Sequence, residues 1–253
     1  MILVADIGNT NITLGVFEGD RLLSRRRLLT RPERSAAAYG RELRAFWARA
    51  HRPRRPTAFV YGSVVPRLDR TFHDVARRCF GLKARAISVR SRLGMRVRVD
   101  HPGQVGADRL LNALAVRKLY GAPAVVIDFG TATTLDCVSK EGDFIGGAIL
   151  IGPRIAAQAL TEKTAKLPKV TLRAPRRFIG KNTVDCMRVG LHHGYVGMVR
   201  HVLEGTLKEM GRGKTKVVAT GGLAGLFAAE LPLDAVAPDL TLQGLRLAYE
   251  TIS

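Results

Sequence analysis

The sequence predicts an α/β fold built from two related halves, each a mixed sheet covered by helices. The first observation is a strand-turn motif that occurs twice. Asp6-Ile7-Gly8-Asn9-Thr10-Asn11 follows the apolar run 2–5, and Asp128-Phe129-Gly130-Thr131-Ala132-Thr133 follows the apolar run 124–127. The second observation is the order around each motif, in which antiparallel strands come first and alternating helical and strand patterns follow. Such an order builds a mixed sheet with helical cover.

The first half has a readable element order. We predict strands at 2–7, 12–17 and 21–29, a helix at 35–50, a strand at 57–63, a helix at 68–78 and a strand at 84–90. The segment 52–56 is predicted as a loop, because its two prolines cannot continue a helix. A helix at 105–119, with apolar residues at helical spacing, then leads into the second half.

The second half repeats that order. We predict strands at 123–128, 133–139 and 144–150, helices at 152–162 and 183–210, a strand at 215–220, and helices at 222–229 and 241–251. We therefore expect an N-terminal lobe at 1–117 and a C-terminal lobe at 118–253.

Both turn motifs have the composition of a phosphate-binding hairpin. Each acidic residue closes a buried strand, and the glycine that follows permits a tight turn. The small residues after each glycine can offer N–H groups to phosphate oxygens. Either aspartate alone could be a turn cap, but their duplication favours a nucleotide held in a cleft between two lobes, and hence a phosphotransferase. Mg²⁺ prefers carboxylates, waters and phosphate oxygens, which suits Asp6 and Asp128.

Two further segments are candidates for the site. Gly221-Gly222 follows an apolar run and could let an adenosine pass close to the backbone, or could simply connect a strand to a helix. Gly106-Ala107-Asp108-Arg109 opens the helix predicted at 105–119. Asp108 there could favour the helix macrodipole, or could be a general base that accepts a hydroxyl proton during attack on the γ-phosphate. Arg109 could hold a carboxylate through two parallel hydrogen bonds.

The net charge of +20 is the unusual feature of the composition. Twelve arginines fall between positions 21 and 55, opposed only by Glu33 and Glu42. This excess indicates either a solvated arginine-rich surface or contact with a polyanion. Aromatic residues that could stack on bases are few there, so we expect no nucleic-acid partner.

Other features of the sequence point to an ordinary cytoplasmic protein. Its three cysteines are scattered and lack metal-type spacing, as expected for free thiols in a reducing compartment. No apolar stretch approaches the roughly 20 residues of a membrane span, and no secretory signal is visible, so we expect no membrane association. His192, His193 and His201 have no third metal ligand nearby in sequence, and we interpret them as surface or interface residues.

The motifs together resemble those of type III pantothenate kinases, in the acetate and sugar kinase, Hsp70 and actin superfamily. The resemblance runs in order from residue 6 to residue 222. Besides the segments already quoted, it includes Gly146-Gly147-Ala148-Ile149, Thr164-Ala165-Lys166-Leu167-Pro168, Gly180-Lys181-Asn182-Thr183 and Thr220-Gly221-Gly222. The Asp-x-Gly hairpins mark only the superfamily, whereas Gly-Ala-Asp-Arg combined with Asn-Thr is specific to the family.

The resemblance implies two ribonuclease-H-like (actin-like) lobes and transfer of the ATP γ-phosphate to pantothenate, giving 4'-phosphopantothenate, the first step of coenzyme A biosynthesis. It makes Asp108 the proton acceptor and Asp128 the ligand of a monovalent cation, K⁺ or NH₄⁺, used together with ATP and Mg²⁺. It also implies a homodimer with substrate near the subunit interface. The residues implied in ATP binding are Asp6, Ile7, Gly8, Asn9, Thr10, Asn11, Ile12, Thr13 and Thr131. Those implied in pantothenate binding are Gly106, Ala107, Asp108, Arg109 and Thr183.

Two positions depart from the family pattern. Val99 stands where the family often has a tyrosine, and Ile151-Gly152-Pro153 replaces a Pro-Gly pair, which could shift the start of the following helix. Two other functions stay open: a basic, nucleic-acid-associated regulatory factor on the same fold, and a superfamily kinase with another small acceptor.

Overall fold

The fold was taken from a computed structural model that describes residues 1–51, 54–211 and 213–252. Arg52 and Pro53 of the predicted loop at 52–56 lie outside the described residues. The chain forms two compact units. One contains Met1–Ala115 together with the C-terminal helix, and the other contains Val116–Asp239.

The first unit is built on a five-stranded sheet. Its strands are β1 (Ile2–Ile7), β2 (Asn11–Glu18), β3 (Arg21–Leu29), β4 (Ala58–Ser63) and β5 (Ala84–Ile87), in the order β3-β2-β1-β4-β5. The first three strands are antiparallel, and β1, β4 and β5 are parallel. Its helices are α1 (Ala36–His51), α2 (Pro66–Val75, continued by a π-helical turn at Ala76–Phe80) and α3 (Ala107–Leu119), whose last turn belongs to the second unit.

The second unit has a sheet of β6 (Ala124–Phe129), β7 (Ala132–Val138), β8 (Phe144–Ile151), β9 (Lys216–Thr220) and β10 (Ala235–Val236), in the order β10-β9-β6-β7-β8. Its helices are α4 (Pro153–Glu162), α5 (Thr183–Val189), α6 (Tyr195–Glu209) and α7 (Ala224–Phe227). A π-helical turn, Gly190–Gly194, joins α5 to α6, and a 3₁₀ turn, Ala228–Glu230, follows α7.

The two sheets have the same topology. Numbered within its own unit, each sheet runs from the third strand through the second and first to the fourth and fifth. In each, the first three strands are antiparallel and the first, fourth and fifth are parallel. The predicted duplication of a mixed α/β unit is therefore confirmed.

The first sheet is covered on both faces. Leu3 and Ala5 of β1 pack in a cluster with Tyr39, Leu43 and Phe72 of α1 and α2. Neighbouring residues of β1 point to the opposite face, because side chains alternate along a strand. This second face packs against α8 (Leu240–Ile252), which contacts β1, β2 and β4.

Helix α8 lies in a different unit from the one that its sequence position suggested. The predicted lobe boundary after residue 117 placed this helix in the C-terminal lobe, but the helix packs on the first sheet. Two glycines show how closely α8 packs, because neither site has room for a larger side chain. A Cβ on Gly15 of β2 would lie 3.1 Å from Leu242 Cδ1 of α8, and a Cβ on Gly244 of α8 would lie 2.7 Å from the Leu111 carbonyl carbon of α3. The apolar face of α8 was readable from its periodicity, whereas the sheet that this face covers depends on tertiary packing.

Three smaller differences concern the lengths of elements. Strand β5 ends at Ile87, three residues before the predicted end, and β10 was not predicted because it is only two residues long. The helix expected at 183–210 is interrupted by the turn Gly190–Gly194. A single π turn keeps the chain helical on both sides, so the prediction of one long helix did not distinguish it.

Candidate active site

The first hairpin presents small polar residues beyond the end of β1. The Gly8 N–H donates to the Asn11 carbonyl oxygen at 3.0 Å, and the Thr30 hydroxyl donates to the Gly8 carbonyl at 2.6 Å. Asn9 and Thr10, between these anchors, are exposed. A turn fixed at its base with exposed polar residues at its tip can offer N–H and hydroxyl groups to a ligand.

The carboxylate of Asp6 lies on one face of this hairpin together with Thr13. These two residues are directly opposite each other in the antiparallel register, so their side chains share a face. Ile7 and Ile12, also predicted to bind ATP, form the next pair and are fully buried. Their side chains belong to the core, so only their backbone groups could reach a nucleotide.

Asp108 lies in the first turn of α3, where the fold partly removes it from water. Its Oδ1 accepts the backbone N–H of Arg109 at 2.8 Å. Burial raises the pKa of this carboxyl above its ordinary value, and the Arg109 N–H and guanidinium charge offset only part of that effect. A Cβ on Gly106 would lie 2.5 Å from Asp108 Oδ1, so the glycine is required for the carboxylate to occupy this place.

Asp6 and Asp108 both lie close to the carboxyl end of β4. Gly62 of β4 is the register partner of Asp6, and a Cβ on Gly62 would lie 2.7 Å from Leu111 Cδ1 and 3.5 Å from Ala107 Cβ of α3. One residue past the strand, the Val64 N–H donates to the Ile7 carbonyl at 3.0 Å. Asp6 therefore lies on the sheet face that carries the start of α3. Ligands of parallel α/β sheets bind beyond the carboxyl ends of strands.

Sequence reasoning missed Gly62 as a part of this arrangement. An isolated glycine inside a strand often marks a close approach of another segment, and that signal was present in Ala58–Ser63. Here the approaching segment is the first turn of α3. Gly62 thus contributes to the position of Asp108 without being a candidate for contact with a substrate.

Asp128 occupies the equivalent position in the second sheet. It is the register partner of Thr134 across the hairpin and of Thr220 on β9. Gly221 has φ +89°, and its Cβ would overlap Asp128 Oδ1 and lie 2.7 Å from the Phe129 nitrogen. The glycine turn after β9 therefore packs directly on the Asp128 carboxylate, which explains the need for glycine there.

The surroundings of Asp128 fit a hard cation. A Cβ on Gly130 would lie 3.4 Å from Asp128 Oδ1 and 3.3 Å from the Ala132 carbonyl oxygen, so that glycine too leaves the backbone close to the carboxylate. Carboxylate and carbonyl oxygens are the donors that hard cations prefer.

Thr131 and the departure at Ile151-Gly152-Pro153 are structurally linked. Thr131 is exposed in the turn of the second hairpin, and a Cβ on Gly152 would overlap its carbonyl oxygen. Gly152 is also the residue before α4, which begins at Pro153. Proline is well suited to a first helical position, so the departure gives a normal helix start rather than a disrupted one.

Thr183 is the first residue of α5 and is exposed. The Asn182 side chain accepts the Asp185 N–H at 2.9 Å and so caps the helix. Thr183 belongs to the second unit, whereas Gly106, Ala107, Asp108 and Arg109 belong to the first.

Within the described residues, no helix is both long and apolar enough to span a membrane.

Comparison with known proteins identifies a matching family. The family model described as type III pantothenate kinase matches residues 2–205. A protein of Moorella thermoacetica named type III pantothenate kinase is 44% identical over 255 residues, which cover 99% of each chain. One of the same name from Dehalococcoides mccartyi strain 195 is 42% identical over 251 residues, covering 98% of this chain and 97% of the other.

Solved structures share the fold at low sequence identity. The ROK hexokinase of Thermus thermophilus superposes with a TM-score of 0.51 at 17% identity, covering 98% and 97% of the two chains. Component A of the (R)-2-hydroxyglutaryl-CoA dehydratase of Acidaminococcus fermentans gives 0.57 at 14% identity, covering 98% and 95%. These proteins have different activities, so the fold alone does not decide function. The family model and the two full-length relatives do decide membership: this chain belongs to the type III pantothenate kinase family.

Proposed function

We propose that this protein transfers the γ-phosphate of ATP to the primary hydroxyl of pantothenate, with Asp108 as the catalytic base. The single observation that carries the assignment of the base is the position of Asp108. Its carboxylate is partly desolvated at the first turn of α3, on the sheet face that also carries Asp6. Membership of the type III pantothenate kinase family favours this reaction over a regulatory role and over other acceptors.

The raised pKa of Asp108 suits a general base. A carboxylate that has lost part of its hydration binds a proton more strongly than an exposed one, so it accepts the hydroxyl proton more readily. As that proton moves to Asp108, the hydroxyl oxygen bonds to the γ-phosphorus, and the bond between this phosphorus and the bridging oxygen breaks to release ADP. Phosphoryl transfer depends mainly on such positioning and on charge stabilisation.

The remaining residues have separate roles in this proposal. Residues 6–13 and Thr131 bind ATP, with the exposed N–H and hydroxyl groups of the hairpins directed to phosphate oxygens. Gly106 and Ala107 contact pantothenate, and Thr183 is a further candidate for that role by family resemblance. Arg109 pairs with the pantothenate carboxylate, because a guanidinium can form two parallel hydrogen bonds with that group.

Two cations complete the reaction. Mg²⁺ would accompany ATP and supply charge neutralisation at the phosphates, and Asp6 of the first hairpin is the carboxylate that would help to hold it. Asp128 with neighbouring carbonyl oxygens would hold a monovalent cation, K⁺ or NH₄⁺. The support for this cation is the Asp128 carboxylate together with the Ala132 carbonyl oxygen, both of which lie close to Gly130.

A homodimer is supported by an exposed apolar surface on the second unit. Strand β8 is an edge strand, and its outward residues Ile145, Ile149 and Ile151 are exposed, as are Ile155 and Leu160 of the following helix α4. Contiguous exposed apolar residues of this kind mark interaction surfaces. We propose that β8 and α4 pair with a second copy of the chain, and that the enzyme acts in the cytoplasm without binding nucleic acid.

The test of the base is substitution of Asp108 by Asn, which keeps the shape and removes the proton acceptor. We expect pantothenate-dependent ADP release to fall by about 10²–10⁴-fold, the usual contribution of general acid–base catalysis. The parent enzyme should lose kcat as the pH falls through the raised pKa of Asp108, and the variant should lack this acidic limb. Asp74→Asn, on α2, is the matched control and should retain activity. Undiminished turnover in Asp108→Asn would overturn the assignment.

A further inference from the structure

Two histidines and a glutamate converge in the second unit, and none of the three is assigned a role in the kinase reaction above. His192 and His193 lie in the turn Gly190–Gly194, and Glu230 ends the 3₁₀ turn after α7. His192 Nε2 is in direct contact with Glu230 Oε1, and His193 Nδ1 lies 3.4 Å from Glu230 Oε2. One potential metal-binding atom from each residue lies within 4.8 Å of the other two.

The local backbone brings the two histidines together. Consecutive residues of a regular α-helix do not face one another. In the π turn, however, the rings of His192 and His193 have centroids 5.1 Å apart, and both side chains reach the same glutamate. Single π turns within helices occur frequently at functional sites.

Each imidazole is held in place by an aromatic ring. His192 stacks on Phe227 of α7 with centroids 5.4 Å apart, and His193 stacks on Phe178 with centroids 3.9 Å apart and an interplanar angle of 13°. Stacking restricts the orientation of each ring while leaving the nitrogen atoms at its edge available. The side chains are therefore arranged before any ion binds, which lowers the cost of binding.

The burial of His192 is a second observation that points to a ligand. His192 is 2% exposed, and its Nδ1 has no hydrogen-bond partner among the described residues. A buried polar atom without a protein partner points to a water or an ion beside it.

We propose that His192, His193 and Glu230 bind one divalent transition-metal ion, with zinc as the best fit. Zinc binds imidazole nitrogen and carboxylate oxygen at about 2.0–2.2 Å in tetrahedral geometry, which places neighbouring ligand atoms roughly 3.3 Å apart. The separation of 3.4 Å between His193 and Glu230 already matches. The closer pair, His192 and Glu230, shares a proton that the ion would replace, and the partly exposed Glu230 side chain can move outward to admit it.

The ligand chemistry distinguishes this site from the cation sites of the kinase reaction. Two imidazoles and one carboxylate favour zinc and neighbouring transition metals, whereas Mg²⁺ and K⁺ prefer oxygen donors. A bound ion would tie the junction of α5 and α6 to the turn after α7. The site therefore has a stabilising role in the second unit, with a fourth position open to water.

The test is zinc binding by the full-length chain, without an affinity tag, after chelator treatment and in the absence of ATP. Cys186 is an exposed free thiol that could bind zinc, so all proteins carry Cys186→Ser. Zinc is titrated in competition with a chromophoric chelator, and cobalt is added separately to record its visible absorption. We expect one zinc ion per chain with micromolar or tighter affinity, intense cobalt bands typical of a tetrahedral site, and a zinc-dependent rise in Tm.

Substitution then assigns the ligands. His193→Ala and Glu230→Gln should each weaken zinc binding by at least about tenfold, a loss comparable to that seen on disturbing metal-site residues. His201→Ala, at an exposed histidine of α6, should bind zinc as the parent does. Absence of saturable binding at micromolar zinc in the parent, or binding unchanged by both ligand substitutions, would overturn the proposal. The cobalt spectrum of the parent keeps the test valid even if a variant fails to fold.

Discussion

At the scale of single residues, the sequence nominated Asp108 as the base but did not predict the environment of its carboxyl group. Gly-Ala-Asp-Arg at the start of a predicted helix was sufficient to nominate a base. Its raised pKa arises from desolvation, which depends on what packs around the first turn of α3. The burial of Ile7 and Ile12 was likewise not predicted. Both belong to a motif that runs along a strand, and such a motif includes residues whose side chains face the core.

Asp108 should lower the stability of the folded chain at neutral pH. Its folded pKa lies above its unfolded value, so the ionised form is disfavoured by folding, and the penalty is present above the folded pKa and absent below the unfolded one. We expect Asp108→Asn to raise Tm at pH 7–8 although its turnover is strongly reduced, and the gain in Tm to disappear near pH 3–4. Thermal unfolding of the parent and the variant across this pH range measures the difference in Tm. A lower Tm for the variant at pH 7–8 would contradict the desolvation argument.

At the scale of elements, type and order followed from the sequence, whereas local irregularities and packing partners did not. The duplicated strands were predicted because their apolar runs are bounded by turn residues. The π turn at Gly190–Gly194 was not predicted, because the segment reads as one continuous helix. The contact of His192 with Glu230 was not predicted either, because the two residues are 38 positions apart. Contacts between distant segments leave no periodic signal.

The contact between β7 and α6 should be energetically coupled. The Thr133 and Tyr195 hydroxyls are hydrogen-bonded in the core, and burial raises the pKa of Tyr195 to about 12, so the phenol stays protonated. Tyr195→Phe or Thr133→Val alone leaves one buried hydroxyl without its partner, at a cost of about 1–3 kcal/mol. We expect the double variant to lose clearly less than the sum of the two. Additive losses in denaturant unfolding would show that the hydroxyls do not interact.

The packing of α8 on α3 gives a matched pair of glycine substitutions. A Cβ on Gly244 would press on the Leu111 backbone, whereas one on Gly205, within α6, would meet nothing within 4 Å. We expect Gly244→Ala to destabilise by about 1–3 kcal/mol through overpacking. Gly205→Ala should stabilise by up to about 1 kcal/mol, because alanine is the better helix former. Denaturant unfolding measures both, and equal effects at the two sites would refute the packing described for α8.

At the scale of the whole molecule, the shared topology of the two sheets matches the duplication inferred from the two Asp-x-Gly hairpins. The division into units does not follow the midpoint of the chain, because α8 returns to the first sheet. The homodimer implied by the family resemblance could not be located from the sequence, because the exposed apolar surface of β8 and α4 is visible only in the structure.

The exposed apolar surface of β8 and α4 gives a direct test of the proposed homodimer. Ile149, on edge strand β8, is 67% exposed, and Leu29, on edge strand β3 of the other sheet, is 59% exposed. A buried charge at an apolar interface is strongly unfavourable, so Ile149→Asp should yield monomers, whereas Leu29→Asp should leave the dimer intact. Light scattering coupled to size-exclusion chromatography measures the mass. A parent enzyme that is monomeric, or an Ile149→Asp variant that remains dimeric, would contradict the proposed interface.

The most direct test of the central claim is ADP release by the purified chain with MgATP and pantothenate, in K⁺ and in Na⁺ buffers, with the product identified by mass spectrometry. The account predicts ADP release that requires pantothenate, is faster in K⁺, and forms 4'-phosphopantothenate in equal amount. A folded chain that binds ATP but releases ADP at the same rate with and without pantothenate would contradict it.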